Sequence, residues 1–116
     1  MQELQVNKEN CFSVLMAVYK KEQPLFFKEA LRSVFEQSLI PNEVVLVKDG
    51  PLTEELEQII VDFSSKNEQL KVITLEKNQG LGEALRIGLN ACSFDLVARM
   101  DSDDICKPYR FEKQIA

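Results

Sequence analysis

The residues whose types and spacing most clearly suggest a chemical role are the acids that follow an apolar run. Residues 96–100 read Leu-Val-Ala-Arg-Met, and Asp101, Asp103 and Asp104 follow within four positions. If the chain is still extended there, its side chains alternate, and Asp101 and Asp103 project to the same side. Carboxylates held this close repel each other unless a proton or a cation offsets their charge, and the chain contains no histidine. The spacing therefore predicts a site for Mg²⁺ or Mn²⁺, an ion that commonly accompanies phosphate groups.

Two other interpretations apply to the same acids. A solvated acidic turn that caps a helix starting near Pro108 explains the pattern equally well. A calcium-binding EF-hand loop does not, because Cys106 stands where that loop needs glycine and a strand, not a helix, precedes it. On the pattern alone, the metal site and the solvated turn are both open.

Single residues elsewhere allow a functional and a structural interpretation. Asp49 precedes Gly50, where a carboxylate can accept a hydrogen bond from a nucleobase or simply shape a turn. Gly80 and Gly82 resemble a phosphate-binding loop only weakly, because a glycine pair at a helix start usually reflects backbone geometry. Arg99 interrupts an apolar strand, so it is expected to pair with an acid or to extend past the sheet edge.

The strands that must position these residues follow from hydrophobic patterning. Nearly continuous apolar runs are typical of strands covered on both faces. The predicted strands are residues 12–19, 44–47, 72–75 and 94–100. Ligands of such sheets bind beyond the carboxyl ends of the strands, where the acids and the glycine-containing loops of this chain lie.

Helices are predicted between these strands from apolar residues spaced three and four apart. The first begins at Pro24 and runs to a break at Pro41, with Leu39 on its buried face. The second follows the N-cap Thr53, and the last begins at Pro108. The third has small residues that should allow close approach to the sheet, and its predicted buried side carries Leu81, Ala84, Leu85, Gly88, Leu89 and Cys92. The resulting βα alternation predicts an α/β fold with three layers, α/β/α, around a mainly parallel, Rossmann-like sheet.

Composition narrows the class of protein. The 116 residues are 45% hydrophobic and 28% charged, with a net charge of −5, which predicts a globular domain and argues against non-specific nucleic-acid binding. The three cysteines have no close spacing, which favours a reducing, cytoplasmic compartment over a disulfide framework or a zinc site. No signal peptide or membrane-spanning apolar run is evident in the sequence.

Taken together, five segments in order resemble the N-terminal half of a family 2 glycosyltransferase. They are residues 13–19, 31–38, 43–50, 78–82 and 98–104, the last followed by Pro108, Arg110 and Gln114. The resemblance covers nearly the whole chain from Phe12. It implies a GT-A fold, a nucleotide-diphosphate sugar as donor, and inversion of the anomeric centre.

The resemblance also implies roles for individual residues. Ala17, Val18 and Tyr19 form the backbone shelf for the nucleoside, with Gly80 in the same nucleotide-binding set. Asp49 reads the uracil of a UDP-sugar. Asp101 and Asp103 form the Asp-x-Asp pair, in which Asp103 ligates Mg²⁺ or Mn²⁺ and Asp101 lies near the ribose or the ion. Lys48 and Pro51 depart from residues common in the family, which leaves the base and the sugar undetermined.

At the level of the whole protein, residues 1–11 are expected to form an N-terminal extension and residues 12–116 the donor-binding half of a truncated GT-A domain. The general base is expected in the missing second half, so this chain alone should be inactive in transfer. The resemblance points to a glycan or lipid-linked acceptor and to synthesis of bacterial surface polysaccharide. It implies a cytoplasmic location, with membrane association of the longer protein left open, and an uncovered sheet edge through which copies of the chain can pair.

Two further classes share parts of this pattern. A sugar nucleotidyltransferase needs a glycine-rich loop with a basic residue after the first strand, where this chain has Tyr19-Lys20-Lys21-Glu22. A non-catalytic, metal-binding receiver-like domain needs an aspartate after the third strand, where this chain has Leu75-Glu76-Lys77. Both are therefore weaker alternatives than the glycosyltransferase.

Overall fold

The computed structural model describes residues 11–115, with side chains to residue 113. Strands and helices alternate in this order: β1 (Ser13–Val18), α1 (Pro24–Phe35), β2 (Glu43–Lys48), α2 (Glu54–Lys66), β3 (Leu70–Thr74), α3 (Leu81–Ala91), β4 (Val97–Arg99) and α4 (Arg110–Ile115). The proposed N-terminal extension, residues 1–11, lies outside the described residues except for Cys11. The predicted alternation of strands and helices is confirmed.

The four strands form one parallel sheet in the order β3-β2-β1-β4. Strand β1 lies at the centre, where Ser13 pairs with Glu43 of β2 on one side and with Val97 of β4 on the other. Strands β3 and β4 end the sheet within the described residues. The predicted association of copies through an uncovered edge stays a prediction.

Side chains on the two faces of the sheet enter two separate cores. Val14 and Met16 of β1 belong to a large cluster with residues of α1, α2 and α4. Leu15 and Ala17 point into a smaller cluster with Ala84 of α3. Because successive strand residues face opposite sides, β1 is apolar at every position except Ser13 and buried throughout. The predicted three-layer α/β/α architecture is thereby confirmed.

Helix α1 ends at Phe35, earlier than the predicted break at Pro41. The cause is Gln37, which is 4% exposed. Its Nε2 donates to the carbonyl oxygens of Ser33 at 3.0 Å and Lys107 at 2.7 Å, and its Oε1 accepts from the N–H of Phe111 at 3.2 Å. This carboxamide ties the end of α1 to the chain before α4, so residues after Phe35 leave the helix and Leu39 is only partly buried.

Helix α3 packs on the sheet through its small residues, and the prediction that Leu81 and Leu89 are buried is wrong. Ala84 and Gly88 are buried, whereas Leu81 and Leu89 are each 52% exposed. A Cβ on Gly88 would lie 2.5 Å from Leu15 Cδ1 and 2.7 Å from Val47 Cγ2. The helix approaches the sheet too closely at this point for a wider apolar stripe to contact it.

Two boundaries near the acidic residues are shorter than predicted. Strand β4 comprises only Val97–Arg99, not residues 94–100, because its register on β1 provides just three residue pairs. Helix α4 begins at Arg110, not at Pro108, and the two residues before it form a turn. None of the helices among residues 11–115 is both long enough and apolar enough to cross a membrane.

A buried carboxylate joins the amino-terminal ends of the strands, at the edge opposite the predicted ligand site. Glu43 is 2% exposed and accepts hydrogen bonds from Ser13 Oγ (2.7 Å), Ser93 N–H (2.7 Å), Ser93 Oγ (2.8 Å) and Lys71 Nζ. Burial raises the pKa of Glu43, but the bonds from Lys71, Ser13 and Ser93 outweigh it and lower the pKa from 4.5 to about 2. The charged form is therefore stabilised in the folded chain.

We expect Glu43→Gln to lower the free energy of unfolding by about 2 kcal/mol at pH 7. Since the folded pKa lies below the unfolded one, the stabilisation is fully present above pH 4.5 and is lost as the pH falls toward about 2. Urea unfolding at several pH values measures both effects. Glu68→Gln, at an exposed position before β3, serves as the control. A Glu43→Gln chain with unchanged stability and an unchanged acid profile would contradict the assigned network.

Candidate functional site

A cavity of about 320 Å³ opens at the carboxyl ends of β1 and β2. Its lining consists of Ala17, Val18, Tyr19, Asp49, Asn78, Gly80 and Leu81. The structure thus brings together five of the six residues predicted to bind nucleotide, and the sixth, Asp101, does not line the cavity. Sequence reasoning did not select Asn78 or Leu81, although the loop containing Asn78 was expected at this edge.

Three parts of the chain line the cavity: the end of β1, the loop after β2 and the loop that begins α3. Ala17 and Val18 end β1, and the N–H of Asp49 donates to the carbonyl oxygen of Val18 at 2.8 Å. This bond continues the strand pairing by one residue and fixes the start of the β2–α2 loop beside the end of β1. Tyr19, 44% exposed, and Leu81, 52% exposed, both line the cavity and present apolar surface that is open to a ligand.

Asp49 is the buried polar group of the cavity, at 5% exposure. Its Oδ1 accepts from the N–H of Gln79 at 2.7 Å, and its Oδ2 accepts from the N–H of Gly80 at 3.1 Å. The carboxylate therefore holds the loop that begins α3, a role the sequence did not predict. Each carboxylate oxygen has a second lone pair, so Asp49 retains capacity to accept from a ligand.

Gly50 brings the loop after β2 against the loop after β3. Its φ is +89°, and a Cβ at this position would lie 2.6 Å from the backbone nitrogen of Asn78. The Nδ2 of Asn78 in turn donates a hydrogen bond to the carbonyl oxygen of Asp49 at 3.3 Å. Only glycine provides both the left-handed backbone and the close approach that shape this wall of the cavity.

Asp101, Asp103 and Asp104 form an exposed cluster, which we call the acidic turn. One carboxylate oxygen of each lies within 4.8 Å of the others. They converge in a turn rather than by strand alternation, because the N–H of Asp104 donates to the carbonyl oxygen of Asp101 at 3.1 Å. The extended chain on which the predicted same-side projection depended is not found, since β4 ends at Arg99. The residues form a turn, as in the alternative interpretation, and the turn adds Asp104 to the two predicted acids.

The donor set of the acidic turn fits a hard divalent cation. Three exposed carboxylates offer oxygen ligands and leave room for water, which Mg²⁺ and Mn²⁺ retain in most protein sites. Arg99 Nη2 lies 3.7 Å from Asp101 Oδ1, as the sequence predicted for a pairing with an acid. Both of these side chains are more than half exposed, so this ion pair offsets little of the mutual repulsion of the acids.

A second groove, of about 610 Å³, lies beyond the acidic turn. It is lined by Ile105, Lys107, Pro108, Tyr109, Arg110 and Lys113. None of the residues predicted to bind nucleotide or metal contributes to it, so its greater size does not make it the candidate site.

Comparisons with known proteins identify a family and several proteins to which the chain is similar. The family described as Glycosyl transferase family 2 matches residues 13–116. The chain is 52% identical over 101 residues to the UDP-Gal:alpha-D-GlcNAc-diphosphoundecaprenol beta-1,3-galactosyltransferase of Escherichia coli, covering 87% of this chain and 36% of that protein. It is 48% identical over 105 residues to the amylovoran biosynthesis glycosyltransferase AmsE of Erwinia amylovora, covering 90% and 39%.

Among solved structures, S. aureus TarS 1-349 in complex with UDP superposes with a TM-score of 0.77 at 30% sequence identity. The match covers 90% of this chain and 30% of that one. With coverages of 36% and 39%, the chain spans little more than a third of the length of the two curated relatives.

Proposed function

The chain belongs to glycosyl transferase family 2, and from this membership we propose that it is the donor-binding half of an inverting glycosyltransferase that uses a UDP-sugar with Mg²⁺ or Mn²⁺. Its parallel sheet is of the GT-A type, like that of TarS. Family membership sets aside the sugar nucleotidyltransferase and the receiver-like domain as alternatives.

The observation that carries the proposal is the cavity at the ends of β1 and β2. Ala17, Val18 and Tyr19 present backbone and an aromatic surface on one wall, and Asp49 presents a buried carboxylate. A nucleobase needs such a pairing of an apolar wall with a hydrogen-bonding edge. TarS is a relative in fold with a UDP complex, which supports uracil as the base.

In the proposed site, Asp103 holds the cation, with Asp101 and Asp104 as neighbouring oxygen donors. A bound cation would stabilise the negative charge that develops on the departing diphosphate. The contribution of the chain itself is to gather three carboxylates beside the nucleotide cavity, so that a polyanionic donor binds only when the charge of the acids is offset.

The acceptor and the general base complete the proposal. Inverting transfer requires a base that deprotonates the acceptor hydroxyl, and we assign it to the part of the longer relatives that this chain does not span. The names of the two curated relatives include a diphosphoundecaprenol acceptor and amylovoran biosynthesis, which support a lipid-linked or glycan acceptor in bacterial surface polysaccharide synthesis.

The proposal is tested by titrating UDP, CDP and GDP into the chain with excess Mn²⁺ in a calorimeter. We expect UDP to bind more tightly than CDP, because uracil donates an imide N–H to Asp49 whereas N3 of cytosine only accepts. GDP, whose guanine N1–H can also donate to a carboxylate, tests whether the cavity accepts a purine. Equal affinity for the three nucleotides would refute the uracil assignment. Absence of binding by all three would refute the donor-binding role of this chain.

Asp49→Asn is expected to shift the UDP to CDP preference toward CDP by roughly 30-fold, because the amide NH₂ that replaces one carboxylate oxygen repels the uracil imide N–H and can donate to cytosine N3. The ratio of the two affinities from calorimetry measures the shift. Asp62→Asn, on the exposed face of α2, is the matched control. If Asp49 acts only by holding the Gln79–Gly80 loop, both affinities will fall together and the ratio will not move.

A further inference from the structure

One side-chain contact joins the acidic turn to the loop that follows β1. Ser102 Oγ donates a hydrogen bond to Glu22 Oε1, across 80 residues of sequence. Glu22 is itself fixed in a turn, because its N–H donates to the carbonyl oxygen of Tyr19 at 3.0 Å and its Oε2 accepts from the N–H of Gln23 at 3.0 Å. Tyr19, at the start of that turn, lines the cavity.

The sheet explains why the two loops meet. Strands β1 and β4 are neighbours, and the N–H of Met100 donates to the carbonyl oxygen of Leu15 at 2.9 Å just before the acidic turn. The loops after both strands therefore leave the same edge of the sheet. Ser102, in the middle of the acidic turn, is half-buried against Glu22, while Asp101 and Asp103 on either side of it are exposed.

The acidic turn has few other restraints. Its three carboxylates repel one another, and the described bonds within it are the 3.1 Å backbone bond from Asp104 and a long one of 3.4 Å from the N–H of Asp101 to Asp104 Oδ2. Among the described residues, the converging group of carboxylates does not include Glu22. Glu22 thus contacts the turn through Ser102 rather than as a further oxygen donor.

We propose that Glu22 is a positioning residue, which through Ser102 holds the acidic turn in the conformation that binds a divalent cation and links that turn to the nucleotide cavity at Tyr19. The proposal rests on the proposed function, because the cation is the one assigned there to the acidic turn. Residues that orient metal ligands commonly change metal affinity by 10-fold or more when they are removed.

The experiment measures Mn²⁺ affinity from the electron paramagnetic resonance signal of the free ion, without nucleotide. Glu22→Ala and Ser102→Ala are each expected to weaken Mn²⁺ binding by about 10-fold, and the double variant should be no weaker than either single one. Glu22→Gln keeps a carbonyl oxygen that accepts from Ser102, so it should stay within about threefold of the starting chain. Glu29→Ala removes a carboxylate that pairs with Arg32 on α1 and is the charge-matched control.

The variants separate positioning from the other roles. If Glu22 acted by charge alone or as a ligand, Glu22→Gln would lose as much affinity as Glu22→Ala and Ser102→Ala would lose none, which would overturn the proposal. A second readout needs no ligand: the amide of Asp104 should exchange with solvent faster in Glu22→Ala, and unchanged exchange would also count against it. If the starting chain binds Mn²⁺ and UDP but Glu22→Ala does not differ, only this inference fails. If the starting chain binds no Mn²⁺, the metal assignment and the inference fail together.

Discussion

Removal of divalent cations with excess EDTA is expected to weaken UDP binding about 100-fold and UMP binding less than about threefold. In the proposed site, the carboxylates of the acidic turn would repel the diphosphate if no cation were bound. With a cation, the diphosphate and the carboxylates share its charge, so nucleotide and ion strengthen each other's binding. UMP lacks the second phosphate and depends mainly on the cavity, which makes it the control ligand.

Asp103→Ala should abolish most of this dependence on the cation, because it removes the acid assigned as the direct ligand. The measurement is calorimetric titration of UDP with Mn²⁺ and with EDTA. Asp62→Ala, which removes an exposed acid on α2, should leave the ratio of the two affinities unchanged. Equal UDP affinity with and without chelator in the starting chain would exclude a cation between the acidic turn and the diphosphate.

Gly50→Ala is expected to destabilise the chain by about 4 kcal/mol. The new Cβ meets two penalties at once: a left-handed φ of +89° and an approach of 2.6 Å to the backbone nitrogen of Asn78, which no side-chain rotation relieves. The neighbouring backbone must move, and the wall that carries Asn78 and Gly80 moves with it. Urea unfolding gives the change in the free energy of unfolding.

Substitutions at two other glycines separate the cost of the backbone conformation from the cost of the close approach. Gly80 has a φ of +94° and a ψ of 157°, a conformation almost restricted to glycine, and a Cβ at this position would meet nothing within 4 Å, so Gly80→Ala should cost about 2 kcal/mol from the backbone alone. Gly82 lies in the first turn of α3 with open space around it, so Gly82→Ala should stabilise by up to about 1 kcal/mol. A Gly50→Ala chain as stable as the Gly80→Ala chain would show that the loop after β2 separates easily from Asn78.

The central strands and the edge where their carboxyl ends meet were predictable because they follow from local patterns, whereas the nucleotide-binding roles of Ala17, Val18 and Gly80 came from the family resemblance. A strand such as β1, buried on both faces, must be apolar at nearly every position, and this run is visible in the sequence without knowledge of its partners. Once the strands are parallel, their carboxyl ends meet at one edge. Residues as distant as Tyr19 and Asp49 could therefore be placed together in advance, and the structure finds both in one cavity.

The features that were missed depend on contacts between distant residues. Helix α1 ends where Gln37 forms hydrogen bonds to Lys107 and Phe111, and the sequence of α1 contains no pattern that predicts these bonds. The sequence could not decide between an extended chain and a turn at the acids, because they follow an apolar run, whereas the short register of β4 on β1 ends the strand at Arg99. Likewise, the two bonds that Asp49 accepts from the loop before α3 required the close approach at Gly50.

The order β3-β2-β1-β4 also bears on the sequence of events in folding. Ser13 pairs with Glu43 and with Val97, so closing β4 onto β1 joins residues nearly three times as far apart along the chain as closing β2 onto β1. The longer closure costs roughly 1 kcal/mol more in chain entropy, and it gains three residue pairs where β2 gains six. Strand β4 is therefore favoured to dock late, on a β1–β2–β3 sheet that has already shortened the loop, and to open first under native conditions. The nucleotide cavity is thus complete before the acidic turn has a fixed place beside it.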